Sequence, residues 1–160
     1  MAISLQALEL ENRSVGVKGE PTLGSAYQIL RDAWLSGDRD RELCLHLMFL
    51  CWYILIEPPH LTGLDESRVP SSELGRIFNE VFDFMSPASQ NDSEFLYVVG
   101  LMSALAPYLL GDNDTWEQLS RDYHTKYRQL KPKGLDPHVF EGRGAFGEYF
   151  AHQARVEDGY

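Results

Sequence analysis

The five histidines, His46, His60, His124, His138 and His152, are the residues of this sequence best suited to acid–base or metal chemistry. An imidazole titrates near neutrality and ligates metals through either ring nitrogen. No two of them have the HExxH spacing of a helical zinc site, and Cys44 and Cys51 do not form a CxxC pair. His46 and Cys51 share one segment but stand about a turn and a half apart, so they face different ways. His46 is therefore read as a core histidine satisfied by hydrogen bonds, not as a ligand.

Glu57, His60 and Asp65 crowd a single loop, and a carboxylate beside an imidazole is suited to general acid–base work. Glu148 and His152 repeat that pairing one helical turn apart, with Arg143 shortly before them. Glu57, His60, Asp65, Arg143 and Glu148 thus define a candidate ligand site for a small-molecule-binding or enzymatic helical bundle. No nucleophile with an adjoining base, and no oxyanion hole, accompanies them.

Other constellations fail on spacing. GxSxG and GxxxxGK[ST] are absent. Gly142, Gly144 and Gly147 spell a GxGxxG, but Glu141 and Glu148 flank it and no strand precedes it, so phosphate would be repelled. The segment reads as a tight turn permitting close helix approach. Asp112-Asn113-Asp114 opens like a calcium loop but has Glu117 and Tyr123 where that loop needs glycine and glutamate. No cofactor and no metal is expected.

Two features suit a protein surface. Gly-Asp turns recur at Asp38 and Asp40 and at Asp112 and Asp114, where Asp38 or Asp40, and Asp112 or Asp114, can cap the helix that follows. Arg121, His124, Arg128 and Lys131 form a basic stripe opposite the apolar stripe Trp116, Leu119, Tyr123, Tyr127 and Leu130. Asp38, Asp40, Asp112, Asp114, Arg121 and Arg128 are the candidate partner-binding residues.

The elements that must carry these residues are helices. Leu23, Ala26, Tyr27, Leu30 and Trp34 follow a helical period over about 22–36, closed by Gly37. From about 39 to 56 the interior, Leu43 to Ile56, is apolar on every face, which places that helix inside a bundle until Pro58 and Pro59 stop it. Further helices are predicted at about 72–85, 94–110 (kinked or ended by Pro107), 112–130 and 143–154. Residues 1–20 have a mixed period ending in Gly16, Gly19 and Pro21, and read as a flexible or extended segment. The fold class is all-α: about six helices in one bundle and one domain over 1–160.

The halves resemble each other. At one constant offset Leu35, Gly37, Asp38 and Asp40 match Leu109, Gly111, Asp112 and Asp114, and Tyr53 matches Tyr127. With contractions, Gly63-Leu64-Asp65 falls on Gly134-Leu135-Asp136 and Gly75-Arg76 on Gly142-Arg143. An internal duplication predicts two pseudo-symmetric three-helix halves.

At 160 residues and 44% hydrophobic content, the chain suffices for one core. Its net charge of −10 argues against nucleic acid or an anionic membrane as partner. The apolar runs Leu43–Ile56 and Phe95–Leu110 are too short for a membrane span. Two sparse cysteines and the absence of a signal-like N-terminus predict a cytoplasmic setting. The profile is that of an acidic module binding another protein, a basic one for charge complementarity, with an immunity- or antitoxin-type inhibitor as the concrete version. Exposure of the two apolar helices would instead favour a homodimer.

Overall fold

Helical periodicity governs the whole chain. The computed structural model describes residues 3–65 and 69–158, and these are all-helical, with no strand among them. The described residues form α1 (Leu5–Ser14), α2 (Leu23–Leu35), α3 (Arg41–Ile56), α4 (Pro59–Thr62), α5 (Ser71–Met85), α6 (Ser93–Leu105), α7 (Pro107–Leu110), α8 (Asn113–Leu130) and α9 (Gly144–Asp158). Short 3-10 turns occupy Ser86–Ala88 and Pro137–Phe140.

The count of nine exceeds the expected six for identifiable reasons. α4 and α7 are four-residue turns opened by Pro59 and Pro107 at their first positions, where the missing N–H costs nothing. α6 ends before Pro107. The third addition is α1, inside the segment expected to be flexible or extended. Its core-facing positions are Ala7 and Glu11, while Leu5 is exposed, so its sequence shows no apolar stripe.

Aspartates open the long helices. Asp40 accepts from the Leu43 amide, Asp92 from Phe95 and Asp112 from Thr115, each satisfying an N–H that the helix cannot. α5, by contrast, begins at Ser71 after Pro70 with no side-chain cap.

α3 packs against α2 and α5 and also touches α6, α7 and α9, which explains its lack of a polar face. Leu43, Leu45, Leu47, Phe49, Leu50 and Trp52 are all buried there. Each such side chain contributes about 1.5–3 kcal/mol through removal from water. α6 lies antiparallel along α8, with Gly100 facing Ser120 and Tyr123. A Cβ there would stand 3.4 Å from Tyr123 Cβ, and the Ser120 hydroxyl donates to the Gly100 carbonyl at 2.8 Å. Both apolar helices, α3 and α6, are therefore covered within the bundle.

The two halves share the capped turn but differ beyond it. The cap is Asp40 in the first half and Asp112 in the second, two positions apart in the sequence match. α5 packs along α3, whereas α9 packs mainly on the 3-10 turn at Pro137–Phe140 and on α1.

Candidate functional site

Three helix N-termini meet at one place, and each is met by a carboxylate. Glu42 lies in the first turn of α3 and Glu94 in the first turn of α6. α9 is served from a distance: Glu11 of α1 accepts the Phe146 amide at 3.3 Å through Oε1. A negative group at a helix N-terminus is favoured by the peptide dipoles and by unpaired N–H groups. Gly144 makes the approach feasible. Its φ is +68°, and a Cβ would stand 2.7 Å from Glu11 Oε1.

Cations bridge these carboxylates into a chain of alternating charge. His46 Nδ1 is 2.7 Å from Glu11 Oε2 and Nε2 is 2.9 Å from Glu42 Oε1. Both ring nitrogens face carboxylate oxygens, an arrangement that a protonated imidazole completes by donating from each. Arg143 donates through Nε and Nη2 to both oxygens of Glu42, at 2.8 and 2.7 Å, and through Nη2 to Glu94 at 2.6 Å. Arg41 then reaches Glu94 at 3.8 Å and takes Asp92 in a fork. His46 and Glu11 are both 0% exposed, so solvent has no access to the inner end.

The titration directions follow. Burial opposes protonation of His46, but the hydrogen bonds with Glu11 and Glu42 outweigh it and push its pKa up to about 8. Burial likewise opposes ionisation of Glu42, and hydrogen bonds from His46 and Arg143 bring it down to about 2. The His46 ring also stacks on Phe146, with centroids 4.8 Å apart. This run of alternating charges ties α1, α3, α6 and α9 together.

The same three elements line a groove one to two turns further on. Glu11 of α1 is followed by Ser14 and Val15, His46 of α3 by Phe49 and Tyr53, and Phe146 of α9 by Glu148 and Tyr149. All of these line a groove of about 410 Å³, closed by Val17, Gly19, Leu23 and Leu61. Its aromatic side is tightly built: Tyr53 and Tyr149 have centroids 6.1 Å apart at 70°, and Phe49 meets Tyr53 at 5.3 Å and Tyr149 at 5.6 Å. Val17 is fully exposed and Leu61 half-exposed. Glu148 is the one charged residue of the lining among the described residues. Burial raises the Tyr149 phenol to about 12, assisted by the charges of Glu157 and Glu57, and burial with Glu57 raises Tyr53.

The sequence-nominated residues fall in several places. Asp40 and Asp112 are spent as caps, Asp38 accepts the Asp40 amide at 3.0 Å, and Asp114 is exposed in the first turn of α8. Both turns pack on α5: Phe84 meets Trp34 beside the first turn, and Asn79 donates to the Leu110 carbonyl beside the second. Asp114 and Arg121 line one groove along α8, and Arg121 and Arg128 line another between α6 and α8 with His124, Leu96, Leu101 and Ala104. Asp38 and Asp40 belong to neither, so the six residues do not form a single patch.

Nor do the five alternative residues converge. Glu57 caps the C-terminus of α3, whereas Arg143 binds Glu42 in its first turn, about 22 Å away along the helix. His60 and Asp65 are exposed, and Glu148 alone of the five enters the aromatic groove. Among the described residues no cluster of three or more His, Cys, Asp and Glu is arranged to hold a metal, and no helix is long and apolar enough to cross a membrane. Sequence reasoning missed Glu11, Glu42 and Glu94, and also Phe49, Tyr53 and Tyr149. The readable signal was Glu42 one turn before His46 in an otherwise apolar helix.

No family model matches this chain, and neither a characterised protein nor a solved structure is detectably similar to it.

Proposed function

We propose that this chain is an acidic protein-binding module whose partner is a basic protein, and that its concrete role is inhibitory, of the immunity or antitoxin kind. The carrying observation is how the charge is distributed. Arg13, Arg31, Arg41, Arg76 and Arg143 are all engaged by carboxylates. Glu9, Asp83, Asp114 and Glu148 are exposed, with no cation in salt-bridge range among the described residues. The surplus of acid is thus presented outward, where it speeds encounter with a basic surface. Cys44 and Cys51, buried as free thiols, suit a reducing, cytoplasmic setting.

Capture from the source cell's lysate at low and high salt, followed by calorimetry with the purified partner, tests the reading. One basic protein whose affinity falls as salt rises supports it, and toxicity of that protein expressed alone supports the inhibitory role. A partner that is acidic, or bound equally at both salt levels, contradicts it.

The duplication is proposed at the level of a helical hairpin, α2–α3 matching α6–α8, because each pair is joined through a Gly-Asp turn and an aspartate cap. An experimental structure in which the two hairpins superpose supports this; unlike crossing angles contradict it.

A further inference from the structure

We infer that the groove bounded by Phe49, Tyr53, Leu61, Glu148 and Tyr149 receives an arginine or lysine side chain projecting from the basic partner, with Glu148 as its counter-ion. This rests on the binding-module reading and adds its point of contact.

The chemistry of the walls selects the occupant. A tyrosine ring attracts an ammonium or guanidinium group through its quadrupole, more strongly where water is excluded. Here two such rings meet at 70° with a third aromatic behind them. Neither the Tyr53 nor the Tyr149 hydroxyl has a hydrogen-bond partner among the described residues, which leaves two oxygens able to accept from a guanidinium fork. Val17 and Leu61, exposed on the rim, suit the methylene stem that carries such a head group.

Electrostatics agrees with the shape. Among the described residues the lining contains Glu148 and no Lys, Arg or His, and Glu57 acts on both phenols. Burial first, with the Glu57 charge adding to it, keeps both phenols neutral, so their hydroxyl oxygens stay available as acceptors. Lys18, on the loop between Val17 and Gly19, and Arg13, directly before Ser14, are not part of the wall. The α6–α8 groove has the opposite character, with Arg121, His124 and Arg128 along it, and would repel the same probe.

The site also has a fixed frame. Tyr53 lies on α3, Tyr149 on α9 and Val15 directly after α1, and these three helices are tied by Glu11, His46 and Phe146, so the walls are held before the partner arrives. Preorganisation of this kind reduces the ordering cost of binding.

The test uses the full chain with a hexa-arginine peptide, a hexa-glutamate peptide and NMR titration. Hexa-arginine should shift the resonances of Tyr53, Leu61 and Tyr149 and bind more tightly than hexa-glutamate. Glu148→Lys should weaken that binding about tenfold, while Asp114→Lys, an identical charge change on α8, should weaken it less than twofold. Equal weakening by the two variants, or shifts that spare Tyr53 and Tyr149, overturns the groove while leaving the acidic-binder reading intact. No preference for arginine over glutamate peptide overturns both. Tyr149→Phe, which keeps the ring and removes the oxygen, should weaken hexa-arginine binding two- to fivefold, and an unchanged affinity would remove the hydroxyl from the account.

Discussion

His46 and His138 each lie against carboxylate, and burial makes them different objects. His46 is 0% exposed between Glu11 and Glu42. The His138 side chain, beside Glu141, is 73% exposed. Both imidazoles titrate upward, His46 because hydrogen bonds with two carboxylates overcome its desolvation, His138 because of the hydrogen bond and charge of Glu141. An exposed pair is screened by water and contributes little. A buried pair cannot lose one member without stranding the other. The same residue types therefore form a structural joint in one place and a surface contact in the other.

The strongest way to break this comparison is His46→Leu. It leaves Glu11 buried without its counter-ion, and urea denaturation should show a loss of about 3–5 kcal/mol. Adding Glu11→Gln should make the double variant milder than the single, since glutamine is neutral and still accepts from the Phe146 amide. A double variant as unstable as the simple sum would show that the two residues do not act as a pair.

The next effect is the pH dependence. Folding raises the His46 pKa to about 8 from its ordinary 6.5, so its stabilisation is complete below about pH 6.5 and is lost as pH rises through 8. The loss should approach about 2 kcal/mol in denaturation midpoints followed from pH 6 to 9. Glu42, lowered to about 2, contributes above its ordinary 4.5 and loses that contribution as pH falls toward 2. The stability curve should thus fall on both sides, and His46→Leu should flatten its alkaline limb.

Arg143→Lys is smaller. Lysine keeps the charge but cannot span both oxygens of Glu42 while reaching Glu94, and about 1–2 kcal/mol should be lost in the same assay. Smallest is His138→Ala, which should leave the midpoint unchanged; a clear shift there would erase the contrast between the two sites.

How much of this was legible in the sequence depends on range. The all-α class follows from local periodicity, and the burial of α3 from an interior apolar on every side. Asp40, Asp92 and Asp112 as caps are equally local. α1 was hidden because its inward positions are Ala7 and Glu11, and a buried glutamate looks polar until its partner is known. That partner, His46, lies far along the chain, and Arg143 of the same network lies at the other end of it, so only the tertiary fold reveals them. The glycines at 142 and 144 indicate a close approach, and what approaches is the Glu11 carboxylate. The aromatic groove was concealed for a related reason: Phe49 and Tyr53 read as core within an apolar helix, and only the arrival of α9 leaves Tyr53 at a partly open wall.

The central claim is that a protonated His46 ties α1, α3 and α9 together and thereby holds the groove. NMR titration of the His46 imidazole, read alongside the Tyr53 and Tyr149 ring resonances, tests it most directly. The account predicts a protonated ring at pH 7, a midpoint near 8, and tyrosine resonances that move through that same midpoint. A neutral His46 at pH 7, or tyrosines indifferent to its titration, would contradict it.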